Sequence, residues 1–482
     1  MTPLPNPATG VLIIPVMAAF LLAMIPSYRI GAWLNVIAAT LTFASALALL
    51  VWRPPVLGRL LIVDDLNIVF IVLNTLVGFT TSLFSKGYVA HELEVGHLKP
   101  FHIRFYHAMY QVLMAAMNLA LLTSIAGLMW VAIEIATLTT ILMVGIGRTH
   151  EALEAAWKYF ILGSVGIALA LFGTILVYSV AEPIVGDGIP AMTWSVLTAH
   201  AAQFDPMLLN IAFVFLLLGY GTKAGLVPIH AWLPDAHAEG PTPVSALLSG
   251  LLLNVAIYAI LRFKMVLANN PATISPGPLM MGLGLVSVIF AGLMLYRRRD
   301  IKRFFAYSSI EHMGIIAFAF GLGGPLANFA GLLHMAMHSL TKSGIFFAVG
   351  HITRIKNTQK IAGITGITTS YPLLGWIFVA LVAAIAGLPP FGLFTSEFLL
   401  VTSAFAQRPY LAIVLVLGLL ISLGALFLRL NSMAFGEPSG SDTPYRAPAF
   451  PMLLHLALVL TIGIFIPGSI VGWFQHVARW LG

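Results

Sequence analysis

The sequence predicts an all-α integral membrane protein with about fourteen transmembrane helices. Of the 482 residues, 60% are hydrophobic and only 9% are charged. The mean hydropathy of +0.98 is far above the range of soluble domains. Apolar runs recur along the chain, each near the roughly 20 residues with which a helix crosses a bilayer. Because backbone groups in lipid must be paired within the segment, such runs indicate helices.

The predicted spans follow one another without a low-complexity linker, so we expect one membrane domain. In chain order they are 10–27, 31–52, 66–86, 106–125, 128–147, 157–181, 207–229, 243–266, 278–297, 305–322, 326–350, 372–405, 409–434 and 451–476.

The seventh and twelfth spans are interrupted by proline, at Pro228 in one and at Pro389 and Pro390 in the other. Proline lacks an amide donor and clashes with the preceding turn, so both spans are predicted to be discontinuous. Each carries an ionisable residue beside the break, Lys223 and Glu397 respectively. Discontinuous helices around a site near the membrane midplane are typical of transporters built from repeated halves.

The two breaks lie five spans apart, and a unit with an odd number of helices returns inverted in the membrane. We therefore expect two inverted five-helix repeats. The predicted organisation is residues 1–105 with helices 1–3, residues 106–267 as the first repeat with helices 4–8, residues 268–436 as the second repeat with helices 9–13, and residues 437–482 with helix 14.

The charge distribution predicts the orientation. The net charge of +7 comes from basic residues in short loops, with about fifteen Lys and Arg in the odd-numbered loops and about six on the other side. By the positive-inside rule the odd loops are cytoplasmic, and an even number of spans places both termini outside. The expected location is a bacterial or archaeal cytoplasmic membrane.

The chain has no cysteine, which excludes iron–sulfur ligation and a thiolate-held nickel–iron centre here. Any redox chemistry therefore belongs to other subunits, and we expect no catalytic, cofactor-binding or metal-binding residue on this chain.

Charged residues inside the spans need an explanation, because each costs about 2.5–3.5 kcal/mol at the bilayer centre on insertion scales. Glu134 is either a structural ion-pair partner or part of a proton path. Lys158 follows Glu154 at a helical spacing of four. A salt bridge at the helix end and a functional role are therefore equally good interpretations of Lys158. Lys223 lies beside a break, where a nearby carboxylate that moves can make it hold or release a proton.

His334, His338 and Lys342 lie on one face of a helix at four-residue spacing. Histidine both accepts and donates protons near neutral pH, so this stripe predicts a proton relay rather than core hydrogen bonding alone. Zinc binding is the competing reading. It is disfavoured because no glutamate stands between the histidines as in HExxH and no third ligand is evident.

Glu397 follows the second break, where it caps a half-helix or ends the relay. Glu311 and His312 are expected at or near a helix entrance, where they could take up protons for the path.

Three segments resemble the antiporter-like membrane subunits of respiratory complex I, Mrp-type sodium/proton antiporters and group 4 hydrogenases. They are KAGLVPIHAWLPDAHAEGPTPVSALLSG (Lys223–Gly250), DIKRFFAYSSIEHMG (Asp300–Gly314) and HMAMHSLTKSGIFFAVGH (His334–His351). The similarity runs from about span four to span thirteen. The Glu–His pair in YSSIEHMG and the following GLGGPLANFAGLLHMAMHSLTKS are most similar to the hydrogenase-4 component F branch.

The resemblance implies fourteen helices in two inverted repeats with a hydrophilic axis. Glu134 and Lys223 would be the coupled pair of the first half-channel. Lys342 and the histidines would form the second relay, with Glu397 at its exit. Many relatives have a lysine where this chain has Asn254, so waters and His230 would bridge the halves, or the halves are less tightly linked.

Three functions remain open. The first is a proton-translocating subunit of a multisubunit redox complex of the hydrogenase-4 or formate-hydrogenlyase type, or of NADH-quinone oxidoreductase. Its partners would be other membrane subunits and a peripheral arm carrying iron–sulfur clusters with a nickel–iron centre or a flavin. The second is a cation/proton antiporter without a redox partner, moving protons or Na⁺. The third is a purely structural membrane subunit. Nucleic acid is not an expected partner.

Overall fold

The computed structural model describes residues 6–52, 60–96, 98–438, 443, 445 and 448–482, excluding the side chains of residues 100, 101, 103 and 104. These residues are almost entirely helical. Within the described ranges the only β-structure is three isolated bridges between loops: Leu61 with Thr123, Ile125 with Thr193, and Asp300 with Lys360. The predicted all-α class is confirmed.

The first eleven α-helices include the first broken span. They are α1 (Pro7–Met24), α2 (Tyr28–Val51), α3 (Asp65–Glu94), α4 (Pro100–Leu122), α5 (Ala126–Val144), α6 (His150–Val185), α7 (Trp194–His200), α8 (Pro206–Ala224), α9 (Trp232–Glu239), α10 (Thr242–Leu247) and α11 (Leu253–Ala268). A π-turn at Leu248–Leu252 joins α10 to α11.

The remaining helices include the second broken span. They are α12 (Gly277–Arg297), α13 (Ile301–Leu322), α14 (Gly324–Ile355), α15 (Ile367–Ser370), α16 (Pro372–Ile385), α17 (Gly392–Gln407), α18 (Pro409–Ala434), α19 (Phe450–Ile464) and α20 (Gly468–Trp480).

Eleven helices in the described ranges are long and apolar enough to cross a membrane, and two sharply bent helix pairs raise the number to thirteen. The predicted span 451–476 is one such pair, α19 and α20, which meet at 81°. Helix α14 is not among the eleven, although it has 32 residues, because its polar residues lower its hydropathy. The predicted multi-pass membrane architecture is confirmed.

Both predicted breaks are present. Helix α8 ends at Ala224 and is capped by Gly225, which has a left-handed φ of 76°, and the chain becomes helical again at Trp232. Trp232 Nε1 donates to the Thr222 carbonyl at 2.8 Å, which ties the start of α9 to the end of α8. The second break separates α16 from α17. Its proline pair cannot donate amides to the carbonyls of Ile385 and Ala386.

The centre of the bundle consists of α13, α14 and the continuous segment from α10 to α11. The segment Thr242–Ala268 is buried along its whole apolar window, and α13 nearly so. Helix α14 packs against α13, α17 and α19. Polar side chains on these central helices therefore face protein rather than lipid. The inverted relation of residues 106–267 and 268–436, and the division into four segments, remain predictions.

Candidate functional site

The first candidate site surrounds the side chain of Lys223 near the end of α8. This side chain is fully buried, and its ammonium nitrogen has no hydrogen-bond partner within the described ranges. Glu134 on α5 lies within electrostatic range of it. One carboxylate oxygen of Glu134 is also buried without a hydrogen bond. The structure therefore brings together the acid and the base that the sequence predicted as a pair.

The Lys223 ammonium lies over an aromatic ring. The nitrogen lies 5.5 Å from the ring centre of Tyr159 on α6. The Tyr159 ring stacks on Trp232 at 4.1 Å, and its hydroxyl is hydrogen-bonded to Thr140 Oγ1 at 2.9 Å. Since Trp232 begins α9, the same stack joins both halves of the broken span. A movement of α9 would therefore shift Trp232 and Tyr159 and change the surroundings of the Lys223 ammonium.

Lys158 lies apart from this buried site. Its ammonium contacts Glu154 at 2.7 Å and Asp235 at 3.0 Å, and its side chain is 48% exposed. Arg303 also contacts Asp235, at 3.1 Å. The structure thus places Lys158 in an exposed ion cluster, which matches the salt-bridge reading of the sequence.

His230 lies in the break between α8 and α9, where Pro228 also lies. Its ring is 4.9 Å from the ring of Phe290, and its Nδ1 is buried without a partner. The imidazole therefore lies beside an aromatic ring, with one of its two nitrogens unpartnered.

Asn254 follows the π-turn, a distortion that is common at functional sites. Its side-chain amide donates to the Gly250 carbonyl at 3.0 Å and to Ser339 Oγ on α14 at 2.5 Å. Its carbonyl oxygen is buried without a partner. Asn254 thus links the eighth predicted span to the helix that carries the histidine stripe.

His237 on α9 is a candidate that the sequence reasoning missed. It is fully buried, and neither ring nitrogen has a hydrogen-bond partner within the described ranges. Its ring stacks on Phe346 of α14 at 4.8 Å, within electrostatic range of Lys342. The available signal was a histidine seven residues after His230, but its contact with α14 depends on tertiary packing.

The second candidate site is the polar stripe of α14. Lys342 is fully buried, and its ammonium donates to the Phe305 carbonyl on α13 at 2.9 Å. One turn away, His338 is also fully buried, with both ring nitrogens unpartnered in the described structure. The predicted stripe is therefore buried inside the bundle.

His312 connects two members of this stripe. Its Nδ1 is 2.9 Å from His334 Nε2, and its ring centre is 5.3 Å from that of His338. Both Glu311 and His312 lie near the middle of α13 and are buried. The expected placement near a helix entrance is therefore wrong. Only the packing of α13 against α14 reveals that His312 lies between the two stripe histidines.

Glu397 on α17 and Glu311 on α13 line one cavity of about 110 Å³. Ser422 of α18 also lines it, beside Glu311. The Glu397 carboxylate rests against Gly387, where a Cβ atom would overlap it. The second break thus makes room for the acid that the sequence placed beside it.

Three of these residues could together hold a metal ion. Ligand atoms of His312, His334 and Glu397 all lie within 4.8 Å of one another. These ligands could not be grouped from the sequence because His312 and Glu397 lie on other helices than His334.

A separate cavity of about 470 Å³ opens near the end of α9. It is lined by charged residues that include Glu239, Lys302 and Arg354. Lys302 is buried and donates to the carbonyls of Ala238 and Gly240 at 2.8 Å and 2.6 Å. These bonds fix the end of α9 beside the cavity.

Comparison with known sequences gives two matches that cover most of the chain. Residues 125–422 match the family described as NADH:quinone oxidoreductase/Mrp antiporter, transmembrane. The chain is also 60% identical over 469 residues to the hydrogenase-4 component F homolog of Methylacidiphilum infernorum (isolate V4), covering 97% of this chain and 98% of that protein.

Comparison with solved structures identifies the same architecture. A chain of the membrane-bound sulfane sulfur reductase, an archaeal respiratory membrane complex, superposes with a TM-score of 0.87 and 23% identity, covering 98% of this chain and 97% of that one. A chain of the Mrp complex from Dietzia sp. DQ12-45-1b gives 0.84 and 20% identity, covering 99% and 97%. These likenesses show a shared fold.

Proposed function

Because this chain belongs to the NADH:quinone oxidoreductase/Mrp antiporter transmembrane family, we propose that it is a proton-translocating membrane subunit of a multisubunit redox complex. The 60% identity to a hydrogenase-4 component F homolog along nearly the whole chain supports a complex of the hydrogenase-4 or formate-hydrogenlyase type.

The observation that carries the proposal is the buried Lys223 ammonium, which has no hydrogen-bond partner in the described structure and lies within range of Glu134. A buried charge without full compensation costs several kcal/mol. Such a group suits proton transfer, because a small change in its distance from a carboxylate decides whether it keeps its proton. A lysine serving packing alone has no such requirement for a nearby acid.

The first half-channel would comprise Glu134 and Lys223, with the stack of Tyr159 on Trp232 transmitting movement of α9. His230 and His237 would continue the path towards α14, since Asn254 can hold water but cannot carry a net charge. We leave Lys158 out of the buried path because of its exposure. The cavity beside Glu239 and Lys302 is a suitable place for proton uptake.

The second half-channel would comprise Lys342 and the three histidines 312, 334 and 338. Two imidazole nitrogens at hydrogen-bond distance, such as His312 Nδ1 and His334 Nε2, allow a proton to pass from one ring to the other by exchange of tautomers. Glu397 and Glu311 would form the exit around their shared cavity.

The energy for this movement would come from partner subunits. Moving one charge against 100 mV costs about 2.3 kcal/mol, and a chain without cysteine carries no iron–sulfur cluster of its own. The proposed partners are other membrane subunits and a peripheral arm with iron–sulfur clusters and a nickel–iron centre, or a flavin in the complex I alternative.

The proposed location is the cytoplasmic membrane of a bacterium or archaeon. The Lys- and Arg-rich odd loops would face the cytoplasm and both termini the outside. This orientation rests on the distribution of Lys and Arg among the loops.

Two measurements test the proposal. Mass spectrometry of the subunits that co-purify with the tagged chain should find a nickel–iron large subunit and iron–sulfur subunits, whereas flavin and quinone-module subunits would favour complex I. In vesicles, the complex should pump protons when given its electron donor. Lys223→Ala should abolish pumping, and Lys360→Ala in an exposed loop should not. Wild-type pumping by Lys223→Ala would refute the mechanism.

The second candidate function is a cation/proton antiporter, because the description of the same family also names Mrp antiporters. Proton movement in vesicles that contain no electron donor would favour it. A purely structural subunit would instead lose assembly, but not activity, on neutral replacement of Lys223, Lys342 and Glu397.

A further inference from the structure

Three potential metal ligands converge from three different helices in the second candidate site. They are His312 of α13, His334 of α14 and Glu397 of α17, with ligand atoms within 4.8 Å of one another. Both histidines are 1% exposed. Because the helices are separate in sequence, the convergence is a product of the fold and not of local helical spacing.

The hydrogen bonds around His334 define its free nitrogen. The Ser396 hydroxyl donates to the Leu393 carbonyl at 2.8 Å, so its oxygen accepts from His334 Nδ1 at 2.9 Å. With the proton on Nδ1, the neutral ring presents a lone pair on Nε2, towards His312. A histidine that binds a metal through one nitrogen commonly has the other held in this way. The hydrogen bond from His334 Nδ1 to Ser396 thus leaves Nε2 available as a metal ligand.

His312 can supply the second lone pair. Its Nδ1 faces His334 Nε2 at 2.9 Å, and its Nε2 is buried on the other side of the ring. Moving its ring proton from Nδ1 to Nε2 leaves two lone pairs facing each other without changing the charge of either ring. Zn²⁺ bonds of about 2.0–2.1 Å place tetrahedral ligands about 3.3–3.5 Å apart. The rings therefore need to separate by only a few tenths of an ångström.

The carboxylate and the adjoining cavity complete the site. Glu397 lines the cavity of about 110 Å³, which exceeds the roughly 10–15 Å³ that a cavity needs to hold one water molecule. A metal-bound water therefore has room there. Glu311 lines the same cavity as Glu397. Two imidazoles with one carboxylate favour zinc-like ions over Na⁺, Mg²⁺ or Ca²⁺, which prefer oxygen ligands.

We propose that His312, His334 and Glu397 bind a divalent first-row transition-metal ion, represented by Zn²⁺, and that the bound ion blocks proton transfer through the second half-channel. The ion would take the place of the proton shared by the two rings and fix α13, α14 and α17 to one another. The blocking effect rests on the proposed function, but the binding does not.

The test measures zinc in the complex purified with the full chain, after incubation with Zn²⁺ and removal of free metal. The wild type should retain one more zinc ion per copy of this chain than His334→Gln or Glu397→Gln. The zinc K-edge absorption spectrum of that additional ion should show imidazole scattering. Equal zinc content in the wild type and both variants would overturn the proposal.

Two further variants separate ligation from folding. Ser396→Ala removes no ligand but releases His334, so zinc binding should weaken 10- to 100-fold while subunit composition stays unchanged. His107→Gln changes an equally buried histidine of α4 whose ring nitrogens are both unpartnered, and it should keep the wild-type zinc content. If Ser396→Ala bound zinc as tightly as His107→Gln, the proposed site would be wrong.

The blocking effect is measured separately as proton pumping with and without Zn²⁺. Wild-type and His107→Gln complexes should be inhibited at the same zinc concentration, and Ser396→Ala only at a concentration at least tenfold higher. Zinc binding with no inhibition would overturn the blocking role and leave the metal site standing. A complex that binds zinc but pumps no protons even without it would overturn the proposed function and leave the binding result intact.

Discussion

The ammonium nitrogen of Lys223 lies 2.9 Å from the position that a Cβ atom would take on Gly163. The next nearest atoms, on Thr137 and Tyr159, would lie at 3.6 Å, an ordinary contact distance. The absence of a side chain on Gly163 therefore makes room for the charged group on which the proposed proton transfer depends.

Gly163→Ala should impair proton pumping more than stability. The added methyl group displaces the flexible end of Lys223 from its position near Glu134, while alanine is favoured over glycine in a helix. A displacement of about 1 Å at a reacting group can cost roughly 100-fold in rate. We expect a loss approaching this size, measured as the initial rate of proton uptake by vesicles containing the complex.

Gly282→Ala is the matched control. Gly282 also lies inside a helix, α12, but a Cβ atom there would meet nothing within 4 Å. This variant should pump protons at the wild-type rate. Equal rates for Gly163→Ala and Gly282→Ala would show that the position of the Lys223 ammonium does not control pumping.

Gly387→Ala should disturb the exit site. Gly387 has a φ of 69°, which favours glycine, and an added Cβ would lie 2.9 Å from the carboxylate carbon of Glu397 and overlap one of its oxygens. The carboxylate must therefore leave its place beside the Glu311 cavity. We expect proton pumping to fall strongly in complexes that still contain the chain, as quantified by immunoblotting.

The control for Gly387→Ala must have the same kind of backbone strain. Gly188 has a φ of 77° and open space around it, so Gly188→Ala has a comparable conformational cost, about 1–2 kcal/mol, without a steric clash. It should lower thermal stability only. Loss of pumping in both variants to the same extent would assign the effect of Gly387→Ala to backbone strain.

The sequence was sufficient to predict the helical class, the positions of most spans and both breaks. Those features depend on local properties, namely apolar length and the missing amide donor of Pro228, Pro389 and Pro390. The right-angled turn between α19 and α20 was missed because residues 451–476 form one apolar run, and hydropathy alone does not record a change of direction.

The sequence predicted the residues of the candidate site better than their arrangement. Charges in apolar spans are conspicuous, so Glu134, Lys223 and Lys342 could be found directly. The positions of His312 between two histidines and of His237 against Phe346 depend on contacts between helices far apart in the chain. For the same reason Lys158 could not be separated from the buried lysines by its sequence neighbours.

Lys158→Gln should leave proton pumping almost unchanged. Its ammonium group is half exposed and shared between Glu154 and Asp235, and exposed ion pairs contribute little to stability. Arg303 remains to neutralise Asp235 in the variant. The measurement is pumping by Lys158→Gln beside Lys223→Gln, which has the same chemical change at a buried site. A loss in Lys158→Gln as large as in Lys223→Gln would place Lys158 in the proton path.

His237→Gln should interrupt transfer between the two half-channels. The Asn254 amide cannot take up an additional proton. His237 is a buried titratable group with both ring nitrogens unpartnered, and it packs against α14 near Lys342. Glutamine fills a similar volume and forms hydrogen bonds, but it cannot alternately accept and release a proton. Loss of such a group typically lowers the proton-transfer rate by about 100-fold or more.

The matched variant is His107→Gln, because His107 has the same burial and the same lack of hydrogen bonds but lies on α4 outside the proposed path. Pumping per pair of electrons transferred should collapse in His237→Gln and persist in His107→Gln, with both complexes fully assembled. Equal pumping by the two variants would mean that water alone bridges the gap beside Asn254. The helix that carries His237 would then matter only as the support for Trp232 and the Lys223 site.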